Sequence, residues 1–382
     1  MSTTQNHQVH LLEHHRFSCN SCGKCCISAW NVKMSDAESE RIADLNITKR
    51  IQETGYAPLK VIDEVAAITK HEDGCCPYFS DNGCDIHREA GGQAKPRTCQ
   101  IFPFGAVNTP DGYFVSTSFS CPAVITGSGD SIAEQKESLQ NLIVNTPELY
   151  SECIDQVKLA EEFSVPWTDY LQLESELILK KHWTHPVEEL ALLAAWIAKH
   201  SVLGAVPSSI PETFRHSVVY EETLNILPLF VVNIISIFEF PEDYESRGDL
   251  VSQILSTGGR SSQIVSGGTL PVFRIGRAQD LITQSLIDRY LEGQIFGKRL
   301  LAGTSVVARL LLLSASVSIL LYYLEVWASS RSNPTLDFYS LEWSFDLIES
   351  SLVTHSSDLD GLFVEFEKTV LAYAAVDEEE AA

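Results

Sequence analysis

The chain has 382 residues, of which 45% are hydrophobic and 20% charged, and it carries a net charge of −24 at pH 7. That length can bury one or two full cores, and the composition excludes an intrinsically disordered or collagen-like chain. A surface this acidic repels phosphate backbones, so nucleic acid is not an expected partner. The charge is uneven: residues 1–127 sum to −3 and the remainder to −21.

All ten cysteines fall within the first 153 residues, and the downstream 229 have none. Residues 1–18 are polar and His-rich, with no apolar stretch of the signal-peptide kind, so the expected location is cytoplasmic. A reducing compartment favours metal ligation over a disulfide framework for so many thiols.

In chain order, residues 1–18 lead through Phe17 into Cys19-Asn20-Ser21-Cys22-Gly23-Lys24-Cys25-Cys26. Two-residue gaps between thiols allow one turn to wrap a soft metal ion. Neighbouring residues of an extended backbone point opposite ways, so Cys25 and Cys26 are not expected to reach one metal side by side. Ser35-Asp36-Ala37-Glu38 is a capping box and predicts a helix to about Thr54, closed by Gly55. Residues 56–70 read as one or two short strands. A second thiol segment follows: Cys75-Cys76, then a tight turn at Asn82-Gly83 that brings Cys84 towards Cys76, then Cys99 after Pro96-Arg97. Tyr113 to Cys121 alternates as a strand should.

The fold class expected is mainly α. Residues 1–127 form a small, loop-rich α+β cysteine region, and residues 128–382 a multi-helix domain, with Gly127-Ser128-Gly129-Asp130 as the hinge. Helices are predicted over 131–145, 146–163 (Thr146 as N-cap), 167–183, 186–203 and 211–238, the last kinked or broken at Pro228. A Gly/Ser-rich connection over 241–273 precedes helices at 277–296, 298–329, 336–353 and 359–376. The apolar run Leu300–Trp327 is interrupted by Arg309, and its uncharged part is too short to span a bilayer. It reads as a buried core helix, and no membrane span is expected.

The candidate metal ligands are Cys19, Cys22, Cys25, Cys26, Cys76, Cys84, Cys99 and Cys121. Eight thiolates suit two tetrahedral zinc sites, one cubane cluster plus one zinc, or a single larger cluster. Cys75 is read as a spare thiol and Cys153 as a buried hydrophobe within a helix. His14, His15, His71 and His87 lie near the cysteines and read as loop histidines. Lys24 and Arg97 are placed to offset thiolate charge. The spacing C-x3-C-x2-C fails because position 29 is alanine, and no G-x-G-x-x-G follows a strand.

Cys19-x-x-Cys22-Gly23-x-Cys25-Cys26, Cys76, Cys84-x-Ile86, Pro96-Arg97-x-Cys99 and Phe102-Pro103-Phe104 together resemble the CxxCxxCC, or YkgJ-type, cysteine-cluster family of zinc- or iron-chelating proteins. Within it, the wide gap from Cys84 to Cys99, with Gly91-Gly92 inside it, and Trp30 behind the cysteine pair resemble the flagellin lysine N-methylase (FliB) branch. That resemblance implies a 4Fe-4S cluster or Zn2+. It also implies methyl transfer from S-adenosylmethionine to lysines of a protein substrate such as flagellin. The residues alone leave open a redox or electron-carrying metal protein, or a structural-zinc protein that binds a protein partner.

Overall fold

A computed structural model describes residues 8–28, 30–146, 152–256, 281–329, 337–353 and 357–379. By contacts the chain divides into two compact units, Met1–Ala106 with Val115–Ser151, and Val107–Phe114 with Glu152–Ala382. The architecture is mainly helical, with small sheets concentrated in the N-terminal part, as the sequence leads one to expect.

The first unit is a string of short elements: β1 (Val9–His10), α1 (Lys24–Ile27), β2 (Lys33–Met34), α2 (Asp36–Ala43), α3 (Asn46–Glu53), β3 (Leu59–Ile62), β4 (Val65–Ile68), β5 (Phe79–Ser80), β6 (Gly83–Cys84), α4 (Asp85–Ala90) and α5 (Arg97–Ile101). The hairpin of β7 (Phe104–Thr109) and β8 (Gly112–Thr117) follows, its tip counting with the second unit, and then α6 (Pro122–Thr126) and α7 (Lys136–Val144). Antiparallel sheets run in the orders β2-β4-β3 and β5-β6, and a third sheet has the order β1-β8-β7. A core of Val32, Met34, Ile42, Ile47, Ile68, Tyr78 and Ile86 sits beneath them.

The capping box forms as read. Ser35 Oγ accepts from the Glu38 N–H, and Glu38 Oε2 accepts from the Ser35 N–H at 2.9 Å. The predicted single helix to Thr54 is two helices, because Leu45 turns to an extended conformation after Asp44. The Thr48 hydroxyl takes up the freed Ile42 carbonyl at 2.6 Å and lies 3.1 Å from the Tyr78 hydroxyl, so the break is satisfied locally and buries Ile47 and Thr48. Glu38 does more than cap. Its other oxygen accepts from the Arg97 N–H at 2.7 Å, which ties the start of α2 to the start of α5. Burial works against its ionisation, yet the N–H groups of Ser35 and Arg97, the Ser35 hydroxyl and the Arg41 charge outweigh that and hold its carboxyl below the usual range.

In the second unit the reading of 146–163 as a helix is overturned. The described part from 156 is a hairpin, β9 (Gln156–Ala160) and β10 (Phe163–Pro166); the Thr146 hydroxyl donates to the Leu142 carbonyl at 2.7 Å, and residues 147–151 lie outside the described residues. The signal was the alternation Gln156-Val157-Lys158-Leu159, exposed and buried in turn, which is a strand period. Cys153 accordingly lies exposed ahead of β9 rather than buried in a helix. The helices are α8 (Trp167–Leu173, continuing as a π-turn to Ile178), α9 (Pro186–Val202), α10 (Val218–Glu239), α11 (Tyr244–Ser256), α12 (Leu281–Phe296), α13 (Val306–Ser329), α14 (Phe338–Ile348) and α15 (Ser357–Glu379). α10 runs unbroken through Pro228. Residues 257–280, which hold the end of the predicted 241–273 connection and the start of the helix predicted from 277, lie outside the described residues.

α13 is the core of this unit, packed by α9, α10, α14 and α15, and its apolar stretch is wholly buried. α10 and α13 are long and apolar enough to cross a membrane by length and composition. The serines that lighten α13 are satisfied: Ser316 and Ser318 donate to carbonyls four residues back, and Ser314 donates to the Val187 carbonyl of α9 at 2.8 Å. Lys298 is buried against Glu174, which also accepts from the Tyr170 hydroxyl at 2.6 Å, and the Lys298 ammonium stands 4.2 Å from the Phe114 ring centroid.

Glu38→Ala removes a cap and leaves the Arg97 N–H unpaired, and we expect a loss of about 1–3 kcal/mol in urea unfolding at pH 7. Because Glu38 titrates below its unfolded value of about 4.3, its contribution is present above that pH and disappears as pH falls through the folded value, so wild type and variant should converge in acid. Leu311→Ala, at a fully buried site of α13, should cost about 2–5 kcal/mol in the same measurement.

Candidate metal centre

The first cysteine loop is shaped by backbone conformations that side chains rarely adopt. Ser21 has φ 58° and Gly23 φ 79°, and a Cβ at Gly23 would stand 2.0 Å from the tip of the Phe79 ring. Glycine is therefore required there on two counts, positive φ and close approach. The loop then closes as α1, with the Cys26 N–H donating to the Gly23 carbonyl at 2.8 Å. Cys25 and Cys26 thus sit on a helical turn, so the extended backbone from which their divergence was argued is not what the chain adopts.

The second thiol segment is held to the first by main chain. The Cys76 N–H donates to the Cys26 carbonyl at 2.9 Å, and the Phe79 N–H returns to the Cys76 carbonyl at 3.0 Å. The β5-β6 hairpin pairs Phe79 with Cys84, with Gly83 at φ 86° behind the Asp81-Asn82 turn, and so folds Cys84 back towards Cys76. Cys99 lies within α5, which Glu38 anchors at Arg97, and Cys121 caps α6 after its N–H bonds the Ser118 carbonyl at 3.2 Å.

All eight predicted cysteines, Cys19, Cys22, Cys25, Cys26, Cys76, Cys84, Cys99 and Cys121, line one cavity of about 650 Å³ within the first unit, and Cys75 and Cys153 do not. Cys75 instead directs its thiol at the Cys76 carbonyl, 3.7 Å away. None of the ten cysteines is in a disulfide. Phe17 lines the cavity and packs edge-on against Phe104, with ring centroids 5.4 Å apart, and Trp30 lies 5.2 Å from Phe102. His87 is a lining residue, whereas His14, His15 and His71 are not.

Electrostatically the sulfurs form two groups. Cys26 responds to Cys25, Cys76 and Cys84, and Cys99 responds to Cys76, Cys25 and Cys84. Cys121 responds instead to Cys22 and Cys19. The grouping is one of charge influence, with Cys25, Cys26, Cys76, Cys84 and Cys99 in one set and Cys19, Cys22 and Cys121 in the other. Burial, followed by the neighbouring sulfurs, pushes Cys99 up to about 12, and burial is also the main reason that Cys76 and Cys121 rise to about 11. Cys25 moves the other way, to about 6, chiefly through the hydrogen bond with Cys26 and helped by Lys95 and Lys70, while Cys26 is raised as the proton-holding partner.

Such a set fits a soft cation. Thiols whose charged forms are disfavoured by burial and by one another become stable thiolates when a metal ion lies among them. Lys24 and Arg97 line the cavity, as the sequence reading proposed for charge compensation. Arg41, Lys70, Lys95 and the α7 residues Ser138, Asn141 and Asn145 line it too and were not anticipated. A faint signal existed in the helical spacing of Gln135, Ser138, Leu142 and Asn145, which places all four on one face.

The search of curated proteins and the search of solved structures returned no match to this chain. The family comparison did return one, over residues 18–122, to the CxxCxxCC family, described as a "putative zinc- or iron-chelating domain". Those residues span every cavity-lining cysteine and carry the motif spacing set out above, so it is residues 18–122 of this chain that match the CxxCxxCC family.

Proposed function

We propose that the chain is a thiolate metal protein with two centres. The observation that carries this is the convergence of eight otherwise scattered cysteines on one cavity, in a five-and-three grouping. Cys25, Cys26, Cys76, Cys84 and Cys99 supply four ligands to a closed zinc or 4Fe-4S centre and one further thiol. Cys19, Cys22 and Cys121 supply three ligands to a second ion, which leaves a coordination position for an outside ligand. Filled, the centres would supply one-electron chemistry from a cluster or Lewis acidity from zinc. The residues' own tasks are to hold the sulfurs at reach, through Gly23 and the Cys26–Cys76 main-chain bond, and to offset their charge through Lys70 and Lys95. Free thiols in this number suit a reducing cytoplasm.

A second reading is methyl transfer from S-adenosylmethionine to a protein lysine such as one of flagellin. It is supported by the resemblance of the Cys84–Cys99 segment and by the cations of the cavity, which disfavour an ammonium and so favour the neutral amine that nucleophilic attack requires. Incubation of metal-loaded protein with labelled S-adenosylmethionine and flagellin tests it, and absence of label from flagellin would remove it.

For the main reading, metal analysis of anaerobically purified protein should find metal at both centres. Cys99→Ser should deplete one centre and Cys121→Ser the other, while Cys75→Ser and Cys153→Ser leave metal content unchanged. Equal metal loss in all four variants, or none in any, would refute the assignment. In metal-free protein at pH 7 the Cys25 thiolate should be alkylated ahead of Cys76 and Cys99, since it is ionised above about pH 6 and they are not. Mass spectrometry reads the order, and metal loading should suppress all three.

A further inference from the structure

The eight thiols of the cavity meet solvent unequally. Cys19 and Cys22 are exposed, Cys76 and Cys121 are buried, and the other four are half-buried. Both exposed thiols belong to one stretch, Cys19-Asn20-Ser21-Cys22, in which every residue is exposed. The second thiol segment has the opposite surroundings. Cys76 is part of the apolar core of the first unit, and Cys26, Cys84 and Cys99 pack against that core. The sulfurs thus divide by environment along the same line as by charge influence.

The exposed loop is pinned at its root. The N–H groups of Phe17 and Ser18 donate to the Asp130 and Ser128 carbonyls at 2.9 and 3.2 Å, and Arg16 Nε donates to the Gly129 carbonyl at 2.8 Å. A Cβ at Gly129 would stand 2.4 Å from that of Ser18, so only glycine lets the two segments lie together. Ser128 is joined in turn to α6, its N–H reaching the Ala123 carbonyl at 3.4 Å, and Cys121 is the residue that opens α6. The root of the loop and the buried Cys121 are therefore held by one set of main-chain bonds. Past the root, the loop closes on itself: the Cys22 N–H donates to Asn20 Oδ1 at 3.3 Å, and Ser21 holds the left-handed conformation at φ 58°.

We infer that Cys19, Cys22 and Cys121 form an exchange centre, which takes up and gives up its ion through the exposed loop, whereas Cys26, Cys76, Cys84 and Cys99 keep theirs. This rests on the two-centre reading and says which centre is open. Cys121 is the fixed ligand, and Cys19 and Cys22 are the ones that let go. In the exchange, an incoming donor bonds the ion as a loop sulfur releases it. The freed thiolate takes a proton from water, and no electron moves. The donors that such ions accept are thiolates and imidazoles, so the exchange partner carries one of these.

The test uses the full chain, purified anaerobically and of measured metal content, mixed with excess EDTA and N-ethylmaleimide. Samples over time are read for bound metal and, by mass spectrometry, for alkylated cysteines. Metal should leave in a fast and a slow phase. Cys19 and Cys22 should become alkylated with the fast phase, and Cys26, Cys76, Cys84 and Cys99 only with the slow one, against exposed Cys153 as the unprotected reference. Cys22→Ser, on the exposed loop, should abolish the fast phase and leave the slow one. The wild-type labelling order needs no variant to fold. A single phase from metal-replete wild type, or alkylation of Cys76 or Cys99 together with Cys19, overturns the inference and leaves the metal reading intact. Protein that takes up no metal overturns both.

Discussion

Bringing several thiols into one buried space is the constraint around which the first unit is built. A sulfur must be deprotonated to ligate, and each deprotonated sulfur raises the cost of the next. The upward displacement of Cys76, Cys99 and Cys121 by burial, with neighbouring sulfurs adding to it, is that cost made visible. Such a place is stable only when cations enter it. The chain supplies part of that charge itself, through lysines and arginines at the wall, and the metal reading supplies the rest.

The local structure follows from the same need. Five separate segments have to deliver sulfur to one cavity, so none can be a long regular element. Each is a tight turn, a two-residue strand or a single helical turn, fixed by main-chain bonds and by the small core of Val32, Met34, Ile42, Ile68, Tyr78 and Ile86, against which Cys26, Cys84 and Cys99 pack. Gly23 under Phe79, the Cys26–Cys76 backbone link and the Glu38–Arg97 tie do this work at three points. Glu38 has two roles, since the carboxylate that caps α2 also sets the start of the helix that carries Cys99 and lines the cavity with Arg97.

The second unit follows different rules. Its centre, α13, is apolar on all sides because helices surround it, and its serines are accommodated by bonding to helix carbonyls rather than to water. Buried charge there is paired, as with Lys298 and Glu174. It has the long helices that the first unit lacks, and its apolar packing is centred on one of them.

Much of this was legible in the chain itself. Cysteine spacing named the eight sulfurs that share the cavity, because ligand gaps are a short-range property, and the capping box, the Asn82-Gly83 turn and the apolar run of α13 are likewise local patterns. The hairpin at 156–166 was also written locally, in a two-residue alternation that helical neighbours obscured. What sequence could not decide was which sulfurs meet which, since Cys121 joins Cys19 and Cys22 across a hundred residues while Cys25 and Cys26 turn to the others. Nor could it place Arg41, Lys70 and Lys95 at one wall, or make the lining of an acidic protein cationic. Those are matters of where distant segments pack, and a charge written along a chain has no sign for a cavity until folding selects which side chains surround it.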